Sequence, residues 1–127
     1  MTGKSILIVD DNQANLKLAR LLLEGDGYDT RTASDALEAL AVLQSFMPSL
    51  ILMDIQLPGL DGLELTRRLK AQPATKDIVI IALTAYAMKG DEQKARAAGC
   101  DGYISKPIDT RTILGTIARC IGRTETE

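Results

Sequence analysis

The stretch LILMDIQLPGLDG, residues 50–62, decides the fold. Leu50, Ile51, Leu52 and Met53 form an unbroken apolar run, the pattern of a strand covered on both faces rather than one. The run ends on a carboxylate, Asp54. An ionised carboxylate pays heavily for burial unless something compensates it. Asp54 therefore either has a partner elsewhere in the chain or stands at the strand's open end to do chemistry. The following residues, with Pro58, Gly59, Asp61 and Gly62, read as a turn into a helix.

Working outward, similar runs recur at 5–10 (SILIVD), 78–84 (IVIIALT) and, more weakly, at 28–33 and 102–105. Between them lie segments of helical period. Leu16, Ala19 and Leu23 share a face in 13–24, with Leu22 beside them, and Ala36, Leu40 and Leu43 form a stripe in 35–45. Leu65 and Leu69 mark 61–71, the alanine-rich 91–98 stops at Gly99, and Ile113, Ile117 and Ile121 mark 109–121. Asp35 with Glu38, and Asp61 with Glu64, have capping-box spacing. Strand and helix alternate throughout, which predicts an α/β domain with a parallel sheet and right-handed crossovers.

The 127 residues suit one domain, expected over 1–122, with a polar tail at 123–127. With only 3% aromatic residues the core must be aliphatic. A net charge of -2, with no cluster of Lys and Arg, argues against nucleic-acid binding. The chain has no histidine, and Cys100 and Cys120 form no close pair, which excludes the usual zinc spacings and a disulfide framework. Both cysteines read as small core residues of a reduced, cytoplasmic protein. The N-terminal apolar run meets acids too soon for a signal peptide, and no run is long enough for membrane insertion.

In such a sheet, ligands bind at the carboxyl ends of the strands. There the sequence places Asp10 and Asp11, Asp54, Thr84, and Lys106 followed by Pro107. Taken singly, each has a plain reading: a helix cap, a strand end, a solvated lysine. Together, at the ends of four strands, they point to one site. Clustered carboxylates repel, and a hard divalent cation relieves the repulsion. All-oxygen ligands favour Mg²⁺, which keeps open positions for a phosphoryl group. A lysine and a hydroxyl complete the charge pattern of phosphoryl transfer, with Asp54 as nucleophile.

This ordered set, from ILIVDDNQ through LILMDIQLPGLDG and ALTA to YISKP, resembles the CheY-like receiver domain of two-component response regulators across essentially the whole chain. The resemblance implies a doubly wound five-stranded parallel sheet in the order 2-1-3-4-5 with five helices. It makes Asp54 the phospho-acceptor. Asp11, Asp54 and the backbone carbonyl of Gln56 would hold Mg²⁺, with Mn²⁺ able to substitute, and Asp10 would act through metal-bound water. Lys106, before an expected cis Pro107, would pair with the acceptor and then the phosphoryl oxygens. Thr84 and Tyr103 form the switch, with small Ala85 leaving room for the phosphoryl group. The implied partners are a sensor histidine kinase or histidine phosphotransfer protein, and a downstream protein, another histidine kinase among the candidates. Their docking face is helix 4, strand 5 and helix 5. ILMDIQLPGLDGLE and TAYAMKGDEQKARAAGCDGYISKPI look especially like the DivK type of single-domain regulator, which acts in cell-cycle control; they also resemble receivers fused to hybrid kinases.

The rivals fit less well. A flavodoxin-like phosphate cradle would not be built from DDNQAN, and no P-loop motif occurs. A haloacid-dehalogenase-type phosphatase expects a second Asp where Gln56 stands. A receiver-shaped interaction module that is never phosphorylated would not need the full acid, hydroxyl and lysine set. Without a histidine, the chain can accept a phosphoryl group but not relay it through an imidazole.

Overall fold

The structure, a computed structural model, describes residues 4–55, 62–84, 91–105 and 109–125. Strands and helices alternate as β1 (Ser5–Val9), α1 (Gln13–Gly25), β2 (Asp29–Ala33), α2 (Ala36–Val42), β3 (Leu50–Asp54), α3 (Gly62–Lys70), β4 (Val79–Thr84), α4 (Asp91–Ala98), β5 (Gly102–Ser105) and α5 (Thr110–Glu125). All pairings are parallel, in the order β2-β1-β3-β4-β5. That is the expected doubly wound sheet. No described helix is long and apolar enough to cross a membrane.

The unbroken apolar runs are the central strands: every residue of β3 and of β4 is buried. β2, at one edge, mixes exposed and buried positions, which is why its sequence signal is weak. Alternation along the strands divides the core in two. Ile6, Ile8, Leu50, Leu52, Ile81 and Leu83 pack with α1 and α5 through Leu16, Leu23, Ile113 and Ile117. Leu7, Val9, Ile51, Met53, Ile80 and Ala82 pack with α2, α3 and α4 through Ala36, Ala39, Leu65, Leu69 and Ala95. Cys100 and Cys120 are both buried free thiols.

Two boundaries differ from the sequence reading. α2 stops at Val42 rather than 45, because it buries the small Ala36 and Ala39 while Leu40 and Leu43 are only half-buried. Its last turn tightens through Gln44 N–H to Ala41 O (3.2 Å) and Ser45 N–H to Val42 O (3.1 Å). α5 continues to Glu125, past the last apolar position Ile121 and into the segment expected to be a tail. Extending an existing helix costs little compared with starting one. α4 ends as expected at Gly99, whose φ of +110° accepts the left-handed turn. Cys100 N–H to Ala95 O and Gly99 N–H to Arg96 O, both 3.0 Å, close a Schellman motif there.

Candidate functional site

The carboxyl ends of β1 and β3 lie side by side, since β1 pairs directly with β3 through Val9 and Met53. The residues that follow are therefore neighbours in space. One carboxylate oxygen from each of Asp10, Asp11 and Asp54 lies within 4.8 Å of the other two. Asp10 and Asp54 are only 1% and 2% exposed, whereas Asp11 faces solvent. The cluster is thus a rim with two walls sunk into the protein and one open side.

Local hydrogen bonds fix this arrangement. Asp10 N–H donates to Ala33 O at 3.1 Å, extending the β1–β2 ladder, and its Oδ1 accepts from Asn12 N–H at 2.9 Å. Asn12, not Asp11, caps α1, its side chain accepting from Asn15 N–H at 3.1 Å. Asp11 is left to face the cluster. On β3, Ile55 N–H donates to Leu83 O at 3.1 Å, which carries the ladder past Asp54.

Gly62 supplies the other support. A Cβ at this position would lie 2.2 Å from Asp54 O and 2.8 Å from Ile55 Cα. The start of α3 presses against the backbone of Asp54 at a distance only glycine allows. Thr66, fully buried, donates from Oγ1 to Gly62 O at 2.8 Å, and Cys100 Sγ lies 3.9 Å from the same hydroxyl. Burial pushes the Cys100 thiol above its ordinary range, against a smaller opposing effect of the Thr66 hydrogen bond. Cys100 therefore stays protonated and unreactive at neutral pH. The sequence reading missed this brace; Gly62 looked only like turn punctuation.

Thr84 closes β4 with no exposed surface, paired to Ser105 on β5. Tyr103 lies opposite Ala82, so Thr84 and Tyr103 project from the same sheet face as diagonal neighbours. Tyr103 is half-buried and packs against the core beneath α2, α3 and α4. Gln56, Asp61, Ala85, Lys106 and Pro107 lie outside the described residues.

A partly buried, all-oxygen donor set at the edge of a parallel sheet suits a hard cation. Two largely desolvated carboxylates with a third at the mouth fit Mg²⁺, which takes few carboxylates and retains water.

Comparison with known proteins agrees with this geometry. Residues 6–118 match the response regulator receiver domain family. The chain belongs to that family. It is 49% identical over 119 residues to the polar-differentiation response regulator DivK of Brucella anthropi, covering 94% of this chain and 97% of that one. A CheY-like receiver domain protein from Methanospirillum hungatei superposes with a TM-score of 0.89 at 34% identity, covering 98% of each chain. The receiver domain of a sensor histidine kinase from Pseudomonas aeruginosa, which has a magnesium ion coordinated in its active site cleft, superposes with a TM-score of 0.86. The two are 35% identical, over 95% of this chain and 99% of that one. The chain contains a single receiver domain homologous to DivK and to CheY-like regulators, a signalling module rather than a member of a known enzyme family.

Proposed function

We propose that the chain is the phospho-acceptor of a two-component phosphorelay, taking a phosphoryl group from a histidine on Asp54. The observation that carries this is the convergence of Asp10, Asp11 and Asp54 at the ends of β1 and β3. An Asp54 carboxylate oxygen attacks phosphorus in line with the breaking P–N bond. The histidine leaves as neutral imidazole after protonation, and Asp54 becomes an acyl phosphate.

Asp11, Asp54 and the backbone carbonyl of Gln56 would hold Mg²⁺, or Mn²⁺ as a cation of like preference, with Asp10 acting through a bound water. When bound, the cation neutralises charge on the transferring oxygens. Asp10 and Asn12 hold that rim in place, and the Gly62 contact fixes the backbone from which Asp54 projects. Lys106 supplies the ammonium for the phosphoryl oxygens, and the Thr84 hydroxyl donates to one of them. Thr84 and Tyr103 share a face, so a shift of the hydroxyl toward the phosphoryl group opens space for the ring. The signal thus reaches the surface formed by α4, β5 and α5.

The chain promotes its own phosphorylation and dephosphorylation but is not a turnover enzyme. Its donors are a sensor histidine kinase or a histidine phosphotransfer protein in the cytoplasm, and its targets are other proteins, histidine kinases among them. The likeness to DivK supports a role in cell-cycle or polar-differentiation control. Incubation with acetyl phosphate and Mg²⁺ tests the core of this reading. One added phosphoryl group per chain, lost in Asp54→Asn, is expected; a chain left unmodified would overturn it.

A further inference from the structure

The groove between α4 and α5, over the edge of β5, contains a cavity of about 490 Å³. It is lined by Arg96 on α4, Asp101 before β5, Gly102 and Tyr103 on β5, and Thr116, Arg119 and Cys120 on α5. β5 ends the sheet, and among the described residues no further strand covers this edge.

The charges in the cavity are unequally committed. Asp101, its one carboxylate, already accepts from Lys70 Nζ and from Ile80 N–H, both at 2.9 Å. Among the described residues Arg96 pairs only with Glu92 on its own helix, an exposed i,i+4 contact at 3.0 Å of the kind that exchanges readily. Arg119 donates to Thr116 Oγ1 at 3.3 Å and joins no carboxylate among the described residues. The cavity therefore presents two guanidinium groups, Arg119 with no carboxylate partner among the described residues and Arg96 in an exposed pair open to exchange.

We propose that this cavity receives a carboxylate side chain from a partner protein, with Arg119 as the principal anchor and Arg96 as the second. This rests on the reading of α4, β5 and α5 as the output face and deepens it by naming the partner's chemistry. A carboxylate fits better than a phosphate dianion. Arg96 lies in the last turn of α4, where the helix dipole is negative, and Arg119 lies in the body of α5. None of the described residues that line the cavity belongs to a helix N-terminus that could offer the amides that phosphate sites employ. The half-buried Tyr103 ring and buried Cys120 suit the methylene stem of a glutamate. Tyr103 also belongs to the switch pair, so a change in its rotamer alters the volume open to that stem.

The test is an NMR titration of the isotopically labelled full chain with an amphipathic peptide carrying glutamates at i and i+4 beside a leucine face. A lysine-for-glutamate peptide and inorganic phosphate serve as controls. Titrations are run with and without Mg²⁺ and beryllofluoride, which mimics the acyl phosphate. The proposal expects shifts centred on Arg96, Tyr103 and Arg119, with affinity falling at least tenfold in Arg119→Glu while that variant gains affinity for the lysine peptide. Equal binding of both peptides, shifts centred elsewhere, the same shifts from phosphate alone, or no binding in either state would overturn it. Equal glutamate-peptide binding with and without the mimic supports the carboxylate pocket and counts only against the switch.

Discussion

Gly62 sits where a methyl group has no room, 2.2 Å from the carbonyl oxygen of Asp54 once a Cβ is built. The neighbouring atoms are backbone, which cannot swing aside as a side chain can. Gly62→Ala is expected to cost roughly 1–3 kcal/mol, as over-packing does elsewhere, and to displace Asp54. Denaturant midpoints and the acetyl phosphate reaction read the two effects separately: stability falls, and phosphorylation slows more than stability alone explains. At Cys100 the same scale gives a pH dependence. The folded chain holds the thiol proton to higher pH than the unfolded chain does, so the unfolded state loses its proton first as pH rises. Stability is then highest below the ordinary thiol range and declines above it. Denaturation at about pH 8 and about pH 10 should show a smaller alkaline loss in Cys100→Ala than in the parent. The acids of the site were legible in the sequence because each ends an apolar run. The brace of Gly62, Thr66 and Cys100 was not, because the close approach of Gly62 to Asp54 and the contact of Thr66 with Cys100 join different elements and leave no periodic trace.

At the scale of elements, α3 and α4 are held in different ways. α3 buries Leu65 and Leu69, and its last residue, Lys70, donates to Ile78 O at 2.8 Å and to Asp101 at 2.9 Å. Asp101 in turn accepts from Ile80 N–H at 2.9 Å, so one carboxylate ties α3, the start of β4 and the turn before β5 together. Asp101→Ala leaves that part-buried amide unsatisfied and should cost about 1–3 kcal/mol. Arg96→Ala removes only an exposed pair within α4 and should cost about 0.3–0.5 kcal/mol. A thermal melt that ranks them the other way would contradict this account of the knot. α4 buries only alanines among its described side chains, Ala95 and Ala98. The alanine-rich sequence made this thin anchorage visible in advance, and faster amide exchange in α4 than in α3 is its measurable counterpart. α1 shows what periodicity alone misses. Its buried stripe of Leu16, Ala19 and Leu23 was read correctly, but Leu18 and Leu21 stand 42% and 58% exposed on the helix that begins at the acidic rim. An apolar patch so placed suits a docking donor. Leu18→Asp should therefore slow phosphoryl transfer from a histidine kinase while leaving the acetyl phosphate reaction unchanged.

At the scale of the molecule, the strand order 2-1-3-4-5 puts β1 beside β3 and so assembles a cluster that no local segment contains. The chain spends favourable packing on both faces of the sheet to hold two nearly buried acids beside an exposed one. Like charges this close repel, and a cation held between them relieves the repulsion. A cation that binds only the folded state stabilises it by about 2.7 kcal/mol at a concentration one hundred times its Kd. For a domain of this size that corresponds to a rise in Tm of roughly 5–15 °C. Asp11 is the residue with which to isolate the effect. It is exposed and does not cap α1, so Asp11→Asn leaves the packing intact and removes one repelling charge. Without Mg²⁺ the variant should melt at or slightly above the parent's Tm; with saturating Mg²⁺ the parent should overtake it. If Mg²⁺ raises both melting temperatures equally, the cation is not held by the Asp10, Asp11 and Asp54 cluster.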